Sequence, residues 1–109
     1  MSGSDDLSRL LSAIEHELRR IDLWSSVSPP EDALASNAPF CYDTLALHEW
    51  LQWVLLPRMK AIIEGGLQLP EHSGIAPLGE QVFPDLTQDT DDLLLLLRRF
   101  DEFIEGHGE

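Results

Sequence analysis

The chain has 109 residues, 43% of them hydrophobic and 25% charged, which is typical of one globular domain over residues 1–109 and leaves no room for a separate catalytic domain. Twenty Asp and Glu oppose seven Lys and Arg, so the formal net charge is −13. Such a surface disfavours direct binding to nucleic acid and to anionic membranes, because both are bound through clustered Lys and Arg.

Three features of the sequence bear on the cellular compartment. One cysteine cannot form an internal disulfide, and the acidic, polar N-terminus is unlike a signal peptide. No run of 18 apolar residues is present, so no membrane span is expected. We therefore expect a cytoplasmic protein.

The first predicted helix runs from about Ser4 to Trp24 and has the clearest amphipathic pattern in the chain. Glu15 precedes Arg19 by four residues, the favourable order for an ion pair on the exposed face. Apolar residues recur every three or four positions, which places them on one buried face: Leu7, Leu10, Leu11, Ile14, Leu18 and Ile21.

A short second helix is predicted after Ser28. The segment Ser28-Pro29-Pro30-Glu31 has the form of a capping box, with a proline at a position that needs no N–H. The connector Pro39–Thr44 follows, and either Asp43 or Thr44 is expected to cap the next helix. Cys41, within this connector, is interpreted as a small buried apolar side chain, with a reactive thiol as the alternative.

A central helix is predicted over about Leu45 to Glu64, ending at Gly65-Gly66, a pair suited to a left-handed C-cap. It is apolar on almost every side, which is typical of a helix enclosed by other helices. Pro57 lacks an N–H and crowds the Trp53 carbonyl, so a kink is expected there.

A helical wheel divides this central helix into two faces. Arg58 falls in the middle of the first face, so it is expected either to rotate outward at Pro57 or to form a buried ion pair with a carboxylate such as Asp43. Gln52 and Trp53 lie on the second, mixed face with Leu56, Met59 and Ile63. Trp53 and Met59 are therefore expected either to pack against a second helix or to face solvent as anchors. The first face, predicted to be core, holds Leu47, Trp50, Leu51, Val54, Leu55, Pro57, Ala61 and Ile62.

Two more helices are predicted: a short one, Leu78 to Phe83, opened by Pro77, and a long last one that begins near Thr87 to Asp91 and reaches about Ile104. Arg98 is expected to pair with Glu102. Leu94 and Leu95 fall off the apolar face of the last helix, which suggests docking or dimerisation. That face holds Leu93, Leu96, Leu97, Phe100, Phe103 and Ile104.

These patterns predict an all-α fold, because no segment shows the alternating pattern of a strand. The expected architecture is a compact multihelical bundle of about five helices, three long and two short, around a largely buried central helix.

No catalytic or metal-binding motif is complete in this sequence. His48-Glu49 begins like the zinc motif H-E-x-x-H, but Gln52 stands where the second histidine is needed. Glu49 likewise lacks the histidine three residues later that helical di-metal sites use. No glycine-rich phosphate loop or nucleophile elbow is found. We therefore predict no catalytic residue, no metal and no cofactor.

A longer motif resembles a known family. The string Glu49-Trp50-Leu51-Gln52-Trp53-Val54-Leu55-Leu56-Pro57-Arg58-Met59, preceded by Asp43-Thr44 and followed by Leu69-Pro70 and Ala76-Pro77, resembles the YqcC-like family. The resemblance extends over roughly Phe40 to Pro77, and Leu47 and His48 depart from the family pattern at the start of the helix.

The resemblance implies a helical bundle with a buried central helix and an association with tRNA pseudouridine synthase C, the enzyme that isomerises a uridine in tRNA. Such synthases resemble larger α/β proteins with a catalytic aspartate in a sheet-lined cleft. The resemblance therefore does not imply that this chain is itself the synthase.

The leading interpretation is a non-catalytic accessory or protein-binding module with a tRNA pseudouridine synthase as candidate partner. An alternative is a binder of small anionic metabolites, or an enzyme, with a pocket between helices near Trp50, Trp53 and Arg58. Self-association as a homodimer is a third hypothesis. The candidate interaction residues are Gln52, Trp53, Arg58, Leu94 and Leu95.

Overall fold

The computed structural model describes residues 3–35, 45–69 and 73–107. In these ranges the chain forms five helices and no strand, which confirms the all-α prediction of three long and two short helices. The first two helices are α1 (Gly3–Arg20) and α2 (Glu31–Leu34), and the last two are α5 (Ile75–Val82), followed by a 3₁₀ turn (Phe83–Asp85), and α6 (Asp91–His107). The third is the central helix, which is continuous and has three parts: α3 (Leu47–Trp50), a π-helical segment (Leu51–Leu55) and α4 (Leu56–Gly65).

Helix α1 packs against both α6 and α4, and α5 packs against α6. The predicted apolar face of α1 is in the core, where Ile14 and Leu18 are fully buried. The helix ends at Arg20, before the predicted Trp24, because Asp22 adopts a left-handed backbone with φ of 64°. The most deeply buried side chains are Leu7, Leu11, Ile14, Leu18, Leu51, Leu56, Met59, Phe83, Leu93, Leu97, Phe100 and Ile104.

A π-helical segment lies directly before Pro57, where a kink was expected. The Leu56 N–H donates to the carbonyl of Leu51, five residues back instead of four. Pro57 thereby becomes the second residue of α4, within a first turn, where its missing N–H and fixed φ are tolerated.

The π-helical segment also changes which of the residues after it face the core, so part of the predicted core face is wrong. One extra residue rotates everything after it by about 100° relative to a regular helix. The prediction therefore holds up to the start of the segment, where Trp50 and Leu51 are buried, and fails after the segment, where Met59 is buried while Pro57 and Ala61 are exposed.

Arg58 is exposed for the same reason. It forms no ion pair with any residue in the described ranges, so of its two predicted alternatives the outward rotation is confirmed. Asp43 lies outside the described residues, as do Cys41, the rest of the connector Pro39–Thr44 and the cap expected there.

The helix ends show which local signals were interpreted correctly. The C-cap at Gly66 is confirmed, with φ of 63° and the Leu67 N–H donating to the Ile62 carbonyl at 3.0 Å. The capping box at Ser28 is wrong: Pro30 occupies the N-cap of α2, and the Ser28 hydroxyl donates to the Pro29 carbonyl at 3.2 Å.

Long-range contacts attach α5 to α6. The carboxylate of Asp101 accepts the N–H groups of Ile75 at 3.1 Å and Ala76 at 2.9 Å, and also the Ser73 hydroxyl. It caps α5, which therefore begins before the predicted Pro77. Arg98 pairs with Glu80 of α5 at 2.6 Å, and not with Glu102 as predicted.

Candidate binding groove

An open groove lies between the C-terminal end of α1 and the middle of the central helix. Its volume is about 480 Å³, within the range of ligand-binding clefts. It is lined by Glu15, Arg19, Trp24, Ser25, Ser26, Gln52, Trp53, Leu56, Pro57 and Lys60.

The segment after α1 forms one wall of the groove and is held in place by Gln52, which is only 5% exposed. Its Oε1 accepts the backbone N–H of Ser25 at 2.8 Å, and its Nε2 donates to the Ser25 carbonyl at 2.5 Å. Both ends of the amide are thus used by one backbone position. Gln52 and Trp53 are adjacent in the π-helical segment. That segment therefore positions both the Ser25 wall, through Gln52, and the indole of Trp53.

A small charge network joins the two sides of the groove. Glu15 accepts from Arg19 Nε at 3.1 Å and from Lys60 Nζ at 3.5 Å, so the predicted Glu15–Arg19 pair is confirmed. The Arg19 guanidinium lies over the ring of Trp24, 4.5 Å from its centroid, a favourable cation–π geometry. Arg19 and Lys60 each retain further N–H groups for another acceptor.

Trp53 contributes a polar atom that no described residue satisfies. Its indole is half-buried, and Nε1 is shielded from solvent without a hydrogen-bond acceptor among the described residues. An unsatisfied buried donor costs about 1–3 kcal/mol, and native structures contain few of them. This N–H is therefore a candidate for contact with a bound group.

The structure separates the five candidate interaction residues. Gln52 and Trp53 line the groove, whereas Arg58 is exposed outside its lining. Leu94 is half-buried and close to Gly79 of α5, and Leu95 is 44% exposed on α6. Their role in binding stays a prediction.

The predicted pocket near Trp50, Trp53 and Arg58 is only partly matched, because Trp53 alone of the three lines the groove and Trp50 belongs to the core. Sequence reasoning missed Trp24 and Lys60. The position of Trp24 after the α1 stripe was a weak signal, and nothing local in the sequence links Lys60 to Glu15.

His48 lies on the first turn of the central helix. Burial lowers the pKa of its imidazole below the ordinary value, and nearby Glu49 opposes that change. Across the described ranges, no group of three or more His, Cys, Asp or Glu is placed to hold a metal ion. None of the helices in those ranges has the length and apolar character needed to cross a membrane.

The fold and groove define a small all-helical bundle protein, and comparison with known proteins identifies its family. The family DUF446, described as tRNA pseudouridine synthase C, matches residues 6–103. The uncharacterised protein YqcC of Escherichia coli is 36% identical over 80 residues, 73% of each chain. Its solution NMR structure matches with a TM-score of 0.84 and 30% identity, over 98% of this chain and 92% of that one. This chain belongs to the YqcC-like family.

Two further relatives differ in length. An uncharacterised protein of Haemophilus influenzae is 35% identical over 78 residues, 72% of this chain and 74% of its own. A Pectobacterium carotovorum protein named tRNA pseudouridine synthase C is 44% identical over 70 residues, which is 64% of this chain but 19% of that protein. This chain thus spans about a fifth of the relative that bears the synthase name.

Proposed function

We propose that this chain is a non-catalytic accessory module that binds a tRNA pseudouridine synthase. The observation that carries the proposal is the 44% identity to a segment making up 19% of a protein named tRNA pseudouridine synthase C. Modules joined in one polypeptide act at an effective concentration that reaches about millimolar. A module that makes up about a fifth of one relative and most of another is expected to recognise the same partner in both.

Charge supports this choice of partner. A synthase that acts on tRNA has to present Lys and Arg to the phosphate backbone. A chain with a net charge of −13 is complementary to such a surface and is steered toward it. The same charge repels tRNA, so we expect the contact to be with the protein.

The helical fold supports a non-catalytic role. The described residues form helices and no strand, whereas the resemblance associates synthase activity with a catalytic aspartate in a sheet-lined cleft. A module of this kind would act by stabilising the enzyme or by altering its access to tRNA.

The test is co-purification of the tagged chain with tRNA pseudouridine synthase C from the same organism, followed by synthase assays on tRNA with and without excess chain. We expect retention of the enzyme and a changed rate. An unrelated helical protein of similar negative charge serves as the control for non-specific attraction. Retention no better than this control, together with an unchanged rate, would contradict the proposal.

The groove supports a second candidate function, binding of a small anionic metabolite. Two indoles provide apolar walls, and Arg19 and Lys60 could hold a carboxylate or phosphate. Intrinsic tryptophan fluorescence during titration with a set of carboxylate and phosphate metabolites tests it. A saturable change with one metabolite is expected, and flat responses to all of them would exclude this candidate for the set tested.

A further inference from the structure

We infer that the Trp24–Trp53 groove is where this chain contacts the synthase, and that it takes a partner segment carrying a carboxylate next to an apolar side chain. This inference rests on the proposed function and adds the position and chemistry of the contact.

The apolar part of the groove is suited to a protein anchor. Trp24 and Trp53 form its walls together with Leu56 and Pro57. Tryptophan is enriched among the residues that dominate binding energy, particularly where it borders a pocket that closes on a partner side chain. An apolar side chain of the partner would be enclosed between these surfaces.

The charged part of the groove selects an anion. Among the described residues, Arg19 and Lys60 both pair with Glu15, and the groove lining carries these two cations and that one carboxylate, in a chain whose net charge is −13. An acidic group is repelled by most of this surface and attracted here. Charge complementarity of this kind determines register and position more than it adds affinity.

Trp53 Nε1 supplies a directional contact. It has no acceptor among the described residues, and a carboxylate or main-chain carbonyl oxygen of the partner would satisfy it. Because the donor is shielded when free, seating of the partner requires a small movement of the side chains over it. The gain on binding is then larger than for an exposed donor, which already bonds to water.

The walls are already held in the free chain. Gln52 fixes Ser25 through two hydrogen bonds, and Arg19 is bonded to Glu15 while it covers Trp24. Rigid walls reduce the entropy lost on binding. A second copy of this chain is a poor occupant, because two molecules of charge −13 repel each other.

The experiment compares two charge reversals in the full chain, Lys60→Glu in the groove and Arg99→Glu on the exposed side of α6. Each reversal changes the net charge from −13 to −15, so both alter long-range attraction to the synthase about equally. Binding of each variant to purified synthase is measured by titration calorimetry, and circular dichroism melts establish that both remain folded. We expect Lys60→Glu to weaken binding about tenfold more than Arg99→Glu.

Trp53→Phe provides an independent measurement, since it keeps an aromatic ring but removes the N–H together with the five-membered part of the indole. We expect it to weaken binding roughly three- to tenfold through the lost hydrogen bond and the smaller apolar contact. If the wild-type chain binds and the Lys60 and Arg99 variants bind equally, the groove is not the contact, while the proposed function stands. If the wild-type chain does not bind the synthase, both the function and this inference are overturned.

Discussion

Gln52 shows what a single residue does in this fold. From the sequence it is a polar neighbour of Trp53 on the mixed face of the central helix; in the structure its amide is buried and bonded at both ends to Ser25. Any contribution it makes to binding is therefore expected to pass through the position of the loop that it holds.

We predict that Gln52→Ala lowers the free energy of unfolding by about 1–3 kcal/mol, because it leaves the Ser25 N–H and carbonyl unsatisfied in a partly buried site. Urea denaturation followed by circular dichroism measures the change. Gln81→Ala, at an exposed position of α5, is the control and should stay within about 0.5 kcal/mol of wild type. Equal small effects in both variants would show that the Ser25 contacts contribute nothing to stability.

The imidazole of His48 makes stability depend on pH. Burial lowers its pKa in the folded state below the ordinary value of 6.5 that applies to the unfolded chain. The unfolded state therefore takes up the proton first as pH falls through about 6.5, so the folded state loses relative stability on acidification.

His48→Gln should remove this contribution. Urea unfolding of both proteins at about pH 7.5 and about pH 5.5 measures it: the wild type is expected to lose stability relative to the variant at the lower pH. A stability difference that is the same at both pH values would contradict the direction of the shift.

At the level of elements, the π-helical segment explains how Pro57 is accommodated and why Met59 replaces Arg58 in the core. A proline inside a regular helix costs about 3 kcal/mol relative to alanine. If the π-helical segment already accommodates the ring, Pro57→Ala should change the free energy of unfolding by less than about 1 kcal/mol. Thermal and urea unfolding measure this, and a gain near 3 kcal/mol would mean that the proline is strained.

The close approach of α5 and α6 depends on Gly79. A Cβ there would lie 2.9 Å from Leu94 Cδ2, 3.2 Å from Phe83 Cε2 and 3.4 Å from Leu97 Cδ1. We predict that Gly79→Ala destabilises the fold by about 1–2 kcal/mol through overpacking, despite the better helix propensity of alanine.

Gly106→Ala is the matched control for this substitution, since a Cβ there meets nothing within 4 Å in the same helical bundle. It should be neutral or stabilise by up to about 1 kcal/mol. The comparison is made by thermal unfolding of the two variants under one condition. A Gly79 variant as stable as the Gly106 variant would contradict the tight helix contact.

Local signals predicted the parts of the fold that depend on neighbours in sequence. The stripe of α1, the Glu15–Arg19 pair and the C-cap at Gly66 all follow from spacings of three to five residues and are present. The caps and pairs that join separate helices could not be predicted, as for Asp101 at the start of α5.

The candidate site was predictable only in part. Trp53 was placed on the mixed face of the central helix, and it is half-buried and lines the groove. The groove around it requires Trp24, which follows α1, and Lys60, on α4, to come together. A regular helical wheel also fails after the π-helical segment, because it assumes the same rotation for every residue. The exposed Arg58 is the direct result.

At the scale of the whole molecule, a net charge of −13 is carried by a helical body whose described Cα atoms extend over 37 × 30 × 24 Å. Under the proposed function, we expect this charge as a whole to attract a basic, tRNA-binding surface of the partner and the groove to select the orientation. Such attraction is screened by salt.

The most direct measurement is a calorimetric titration of the full chain into tRNA pseudouridine synthase C of the same organism, at low and at physiological salt. The account predicts saturable one-to-one binding with a Kd of about 10 µM or tighter at low salt, weakening as salt rises. Absence of heat at concentrations of about 100 µM, confirmed by sedimentation of the two proteins as separate species, would contradict the account.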